Sequence, residues 1–191
     1  SVLSPLTPTS FGLTAMTDGG LLIGFSEQGT VLWQKPMNTR GTGYSSSFIG
    51  DFIFTSHGTT LSLYNPSGKR VWSVETDSPI IEKPAPGFDG RVFVKEKDAL
   101  SCYTLNGLRR FKIGISEGKM ELLTLNDGSL LHIQKKEISG KSTALRVSPF
   151  GQILEEIVFT GIISCAAESR DGIILGFTSG TIAMCSVLNG S

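Results

Sequence analysis

His57 and His132, with the thiols of Cys102, Cys165 and Cys185, are the side chains best suited to nucleophilic or metal chemistry near neutral pH. A Ser–His–Asp arrangement would have to recruit one of the two histidines, and the chain has no Gly-x-Ser-x-Gly elbow to present the serine. His57 falls in an expected turn and His132 within an expected strand. No Cys or carboxylate stands beside either at zinc-ligand spacing. Gly41-Thr42-Gly43 lacks the Lys-Ser/Thr ending and following helix of a phosphate loop. Glu155 and Glu156 are adjacent in a strand-like run and therefore point to opposite faces, which prevents joint acid–base work. Glu168 and Asp171 flank a hairpin turn. The Asp-Gly pairs beginning at Asp18, Asp89, Asp127 and Asp171 are ordinary turn chemistry. A calcium loop needs several oxygen ligands in close succession, as in Asp-x-Asp-x-Asp, and none occurs. The expectation is a chain with no catalytic residue, no cofactor site and no metal site.

Charge narrows the choice of partner further. Lys plus Arg number 17 and Asp plus Glu number 17, so the net charge is zero. A nucleic-acid binder neutralises phosphates with a basic face, and that footprint is missing. The basic pairs Arg109-Arg110 and Lys135-Lys136 read as solvated hairpin tips. No apolar run approaches the 18 or so residues that span a bilayer as a helix. The chain starts at Ser1 and shows no signal-peptide core, which reads as a removed leader or an excised piece of something longer. Three cysteines cannot all pair, and each lies in a strand-like run, so all three are expected as small buried hydrophobes.

What must hold such residues in place is a repeat. Leu21-Leu22-Ile23-Gly24-Phe25-Ser26-Glu27-Gln28-Gly29-Thr30-Val31-Leu32-Trp33 aligns without a gap to Thr60-Leu61-Ser62-Leu63-Tyr64-Asn65-Pro66-Ser67-Gly68-Lys69-Arg70-Val71-Trp72, and both end on Trp. Runs rich in Val, Ile, Phe and Tyr, bounded by Gly, Asn and Pro, are strands. Asn106-Gly107 between alternating runs is a strong hairpin cue, because both turn residues must tolerate positive φ. Turns near residues 18, 57, 97, 138 and 179 recur at about 40 residues, the period of a propeller blade. The expected fold is all-β: a β-propeller of about five four-stranded antiparallel blades over 1–191, with repeats at 4–36, 41–74, 80–113, 119–159 and 161–191. Lys119 to Leu125 alternates and precedes Asn126-Asp127-Gly128, so it is read as strand and not helix.

The span from the last turn back to the first, through the termini, falls short by about one strand. The fifth blade is therefore expected to lack its outer strand, the chain stopping after Asn189-Gly190. Ser1-Val2-Leu3 is placed to supply that strand and latch the ring shut. The alternative is an arc cut from a propeller of six to eight blades. Trp33 and Trp72, at identical places in the repeat, are expected to pack between neighbouring blades, where truncation to Ala costs about 3 to 5 kcal/mol.

The segments from Asp18-Gly19 through Trp33, and from Tyr64 through Gly68-Lys69-Arg70-Val71-Trp72, resemble the PQQ-type β-propeller repeat: an Asp-Gly, an alternating strand, a turn ending in Gly, and an aliphatic-aliphatic-Trp strand. Copy three carries Phe111 in place of the Trp, copy four has Leu154 near that place, and copy five ends before it. The family includes periplasmic quinoprotein dehydrogenases, with an eight-bladed ring, a quinone and calcium. It also includes non-catalytic scaffolds, among them the propeller lipoprotein of the outer-membrane β-barrel assembly machinery. This chain is too short for the eight-bladed enzyme and has no adjacent Cys-Cys pair. The resemblance thus implies a non-enzymatic scaffold for protein partners in a periplasmic or cell-surface bacterial setting, without a cofactor. A lectin-like or other ligand-binding propeller is the alternative, a quinoprotein-related cofactor domain the second. The hairpins between second and third strands differ from blade to blade, which favours one asymmetric partner surface over equivalent sites. The longest of them, Lys135 to Lys141, is the expected contact, with Lys135, Lys136, Glu137 and Lys141 as its charged residues.

Overall fold

The computed structural model describes residues 6–17, 19–37, 43–48, 52–116 and 120–186, with only the backbone described at 43–48, 120 and 137. The chain divides after Ser116 into two compact units. The first unit holds three antiparallel sheets of four strands, each in simple up-and-down order. Sheet one comprises β1 (Thr7–Thr9), β2 (Gly12–Met16), β3 (Leu21–Ser26) and β4 (Val31–Pro36). Sheet two comprises β5 (Gly43–Phe48), β6 (Phe52–His57), β7 (Thr60–Tyr64) and β8 (Arg70–Glu75). Sheet three comprises β9 (Ala85–Pro86), β10 (Val92–Lys95), β11 (Ala99–Tyr103) and β12 (Arg109–Gly114).

The second unit holds sheet four, with β13 (Met120–Thr124), β14 (Leu130–Lys136), β15 (Lys141–Val147) and β16 (Ile153–Thr160). A single 3-10 turn, Glu137–Ser139, joins β14 to β15. Sheet five has three strands, β17 (Ile163–Ser169), β18 (Gly172–Phe177) and β19 (Ile182–Cys185). These are the blades of a β-propeller, and the strand reading of the segment after Lys119 holds. Sheet five has no fourth strand among the described residues. Ser1-Val2-Leu3, Asp18, Gly41-Thr42, Lys119 and Asn189-Gly190 lie outside the described residues.

Turn chemistry fixes the strand ends. In the turn between third and fourth strands, Gly29, Gly68, Gly107 and Gly151 all take positive φ, from 72° to 87°. The same two backbone bonds close each turn: Asn65 N–H donates to Lys69 O at 3.0 Å and Gly68 N–H to Asn65 O at 2.9 Å. Just before each turn the pairing slips by one residue, at Gly24/Phe25, Leu63/Tyr64, Cys102/Tyr103 and Arg146/Val147. A recurrent bulge of this kind re-aims the outer strand. The outer strands β4, β8 and β12 share one alternating exposure pattern, half-buried at every second residue.

The cores lie between sheets. Met16 and Leu22 of sheet one pack on Ile53 and Tyr64 of sheet two. Phe54, Leu61 and Leu63 on the other face of sheet two pack on Val92, Val94 and Tyr103 of sheet three. In the second unit, Leu131, Ile133 and Ala144 meet Ile163, Ile173 and Leu175.

The tryptophans sit where the repeat places them, and their polar ends are used. The Trp33 indole N–H donates to Pro66 O at 2.8 Å, and the Trp72 indole N–H donates to Leu105 O at 2.6 Å. Each acceptor lies in the turn of the following sheet. Trp33 is flanked by Gly24, its partner across β3 and β4, and by Gly68 of the next sheet: a Cβ there would come within 2.4 Å and 2.6 Å of the indole. Phe11 lies against Trp33 and Phe54 against Trp72, with centroids 6.1 and 6.0 Å apart in tilted geometry. Phe93 and Phe111 repeat the pair in sheet three at 6.2 Å.

Gly68 and Gly29 have the same backbone conformation but different surroundings, since nothing lies within 4 Å of a Cβ at Gly29. Gly29→Ala therefore carries only left-handed strain, about 1 to 2 kcal/mol. Gly68→Ala adds displacement of the Trp33 indole, for a total of about 2 to 4 kcal/mol. Urea unfolding of both variants measures the difference; equal losses would show that the indole does not bear on Gly68.

Candidate interaction surface

The β14–β15 hairpin is longer in strand than in loop. Pairing runs without a slip from Leu130↔Val147 to Lys136↔Lys141, so Lys135 and Lys136 belong to β14 and Lys141 to β15. The tip is not the whole of Lys135 to Lys141, as the sequence suggests, but residues 137–140, because cross-strand pairing takes the flanking lysines into the strands. The Ser139 hydroxyl donates to Lys136 O at 3.2 Å, and Gly140 takes φ 62° to turn the chain back. The Gly140 carbonyl accepts from Gly161 N–H at 2.9 Å, continuing the β15–β16 pairing up to the tip. The hairpin is thus held at its base and closed at its end.

Its side chains separate into two groups. Lys135 turns sideways, its Nζ 3.5 Å from Ser164 O and 4.0 Å from Glu121 Oε2. Lys136 and Lys141 are exposed on either side of the tip. Between them Ile138 stands fully in solvent, at 106% relative exposure. Ile138 is not among the tip residues expected from the sequence. The available signal was a lone isoleucine in a polar tip, with no alternating partner that would give it a buried face.

The remaining titratable residues are dispersed and mostly engaged in holding turns. Asp127 accepts from Ser129 N–H and Oγ–H and pairs with Arg146 at 2.5 Å. Partial burial pushes the Asp127 carboxyl up, but those hydrogen bonds and the guanidinium outweigh it and hold it below the ordinary carboxylate range. Glu168 accepts from Asn126 N–H at 2.8 Å. Glu155 faces Arg146 across the strands and Glu156 faces Leu145, so the two carboxylates do lie on opposite faces. His132 is buried within β14, and His57 ends β6 and does not sit in the turn.

Arg109 and Arg110 are not a hairpin tip; they begin β12, and Arg109 pairs with Asp77 at 2.9 Å beside Lys112 at 2.8 Å. Those two cations, Lys112 first, draw the Asp77 carboxyl below its ordinary range. Glu96, next to the turn near residue 97, is fully buried, where it accepts from Ser101 Oγ and Ser78 N–H.

No family model and no curated protein sequence matches the chain. Solved structures do match in fold. Virginiamycin B lyase from Staphylococcus aureus superposes with a TM-score of 0.73 at 11% identity, over 98% of this chain and 70% of that one. BamB from Moraxella catarrhalis superposes with a TM-score of 0.56 at 12% identity, over 100% of this chain and 71% of that one. BBS1N, solved in complex with ARL6DN, superposes with a TM-score of 0.70 at 10% identity, over 98% of this chain and 66% of that one. These similarities establish the β-propeller fold.

The thiols differ more than the sequence reading expects. All three are free. Cys102 is buried as anticipated, and burial pushes its thiol up to about 12. Cys185 is half-buried, its thiol also raised by desolvation. Cys165 is exposed, which corrects the expectation of a buried hydrophobe: it lies on the face of β17 opposite the one that Ile173 and Leu175 pack against sheet four. A chromogenic disulfide reagent at pH 8 is expected to titrate Cys165 at once, Cys185 slowly, and Cys102 only on unfolding. A Cys165→Ser variant that keeps the fast phase would contradict this order.

Proposed function

We propose that this chain is a non-enzymatic β-propeller scaffold of the bacterial cell envelope that holds a protein partner at the β14–β15 hairpin. The observation that carries the reading is Ile138, fully exposed on a tip whose base is fixed by continuous pairing and whose end is tied to Gly161. A large apolar side chain held in solvent on a rigid hairpin has little to gain in the free protein. It gains burial when a partner covers it, worth about 1.5 to 3 kcal/mol. Lys136 and Lys141 flank it and favour an apolar socket with an acidic rim. The rigid blades hold the tip, and specificity lives in the tip.

The PQQ-type repeat resemblance and the likeness to BamB support the envelope setting, and BBS1N in complex with ARL6DN is an example of this fold engaging a protein. Cross-linking through the amines of Lys136 and Lys141 in cells of the source organism, followed by mass spectrometry of the envelope fraction, tests the proposal. One partner is expected to cross-link at these lysines, and Ile138→Asp or replacement of residues 137–140 by Asn-Gly is expected to abolish it. A partner whose cross-links map to other blades and survive both changes would overturn the hairpin assignment. Recovery of the chain outside the envelope fraction would overturn the setting.

A further inference from the structure

Sheet two carries a polar cavity of about 220 Å³ on the face that packs against sheet one. Three cross-strand rows on that face build it. Thr55, Ser62 and Ser73 form the middle row; His57, Thr60 and Glu75 form one end; Tyr64 and Arg70, beside Ile53, form the other. Directly opposed residues of an antiparallel sheet share a face, so the register alone brings these groups together. Met37, just beyond β4, closes the Tyr64 end and accepts from the Tyr64 hydroxyl at 3.2 Å.

Some of these groups are satisfied within the sheet. Thr60 Oγ–H donates to Glu75 Oε1 at 2.8 Å, and the Ser62 and Ser73 hydroxyls lie 3.0 Å apart. Two are not. Thr55 is 1% exposed and its hydroxyl has no hydrogen-bond partner among the described residues; His57 Nε2 is likewise buried and without a partner among them. An unpaired buried polar group costs about 1 to 3 kcal/mol, and packing did not require one here. The same register in sheet three, matched through Ile53↔Tyr64 and Val92↔Tyr103, places Val94 where Thr55 stands. There Ser101 donates to the buried Glu96, and Val94 joins the core. One blade closes this position with a valine and a bonded carboxylate; its neighbour leaves it open and polar.

We infer that this cavity is a binding site for a neutral, polyhydroxylated small molecule of monosaccharide or cyclitol size. Volume sets the size, since the cavity is smaller than the roughly 300 Å³ at which pockets for drug-sized ligands begin. Charge sets the class. Arg70 and Glu75, at opposite ends of β8, offset one another, and both oxygens of Glu75 already accept from Thr59 and Thr60, so the cavity offers no net charge to an ion. The floor, rich in hydroxyls, both donates and accepts, and that matches vicinal hydroxyls on a ring. Thr55 Oγ and His57 Nε2 are the two groups that such a ligand satisfies, and the Tyr64 ring with the Met37 thioether gives the wall for its C–H face. The site lies on a different sheet from the β14–β15 hairpin, so it stands independently of the partner proposal.

Saturation-transfer NMR and calorimetry with D-glucose, D-galactose and myo-inositol test the inference on the whole chain. At least one of the three is expected to bind, and glucose 6-phosphate and glucosamine are expected to bind more weakly than glucose. Thr55→Val, which keeps shape and removes the unpaired hydroxyl, is expected to weaken binding tenfold or more while the melting temperature holds or rises. Ser73→Leu, at the solvent rim, is expected to abolish binding. No transfer from any neutral probe, a phosphorylated probe bound more tightly than glucose, or binding untouched by both substitutions would overturn it.

Discussion

In the first unit an indole holds the first blade to the second and another holds the second to the third. Trp33 and Trp72 occupy the third position of equivalent outer strands, and each donates its N–H to a carbonyl in the following blade's turn, at Pro66 and Leu105. The same contact therefore recurs one repeat later. An aromatic ring contributes area and one directional bond, a combination that sets the angle of one sheet on another more firmly than aliphatic packing alone. The glycines follow from this contact. Gly24, within β3, leaves room for the ring inside the blade, and Gly68, a turn glycine, leaves room in the next, so both are steric partners of Trp33. In the second unit Phe159 and Phe177, 6.0 Å apart, meet across sheets four and five without a polar anchor.

A scaffold built this way leaves its edges and tips free to vary. The alternating outer strands need only keep every second residue inward, so charge on the other positions is unconstrained. The tip of the β14–β15 hairpin, residues 137–140, projects beyond the paired strands, so Ile138 stands in solvent without disturbing the sheet beneath it. The same tolerance operates on the inner faces. The register of sheets two and three is shared, yet one row holds Thr55, Ser62 and Ser73 and the other Val94, Ser101 and Lys112. Identical backbones thus carry an open polar chamber in one blade and a sealed core in the next. Function in a repeat protein of this kind is read from such departures between copies.

Where one residue decides a local outcome, the sequence was legible. Asn65-Pro66-Ser67-Gly68 and Asn106-Gly107 specify turns whatever surrounds them, and the matched tryptophans located the contact between blades. Groups whose setting depends on distant partners were not legible. Glu96 reads as a surface turn between two lysines, but Ser78 and Ser101, from other strands, make its burial possible. Lys95 is buried because its ammonium donates to the carbonyls of Glu96 and Lys97, bonds that no residue pattern announces. Cys165 looked like a core residue because it sits in an apolar run, and only the pairing of β17 with β18 shows which face it occupies. The hairpin that defines the partner proposal was located correctly and drawn too long, since Lys135 and Lys136 continue a strand that polar residues alone do not reveal. Thr55 and His57 carried no sequence signal as a pair, because register and not spacing brings them to one face.

The indole contact is open to direct measurement. With only two tryptophans in the chain, the two indole N–H resonances of the nitrogen-15-labelled protein can be assigned by Trp33→Phe and Trp72→Phe, and their exchange with solvent followed by NMR. Bonds to Pro66 O and Leu105 O predict exchange slowed well below that of a free indole at both positions, more so at the deeper Trp72. Two indoles that exchange at the free rate would mean that the blades are not joined through these rings.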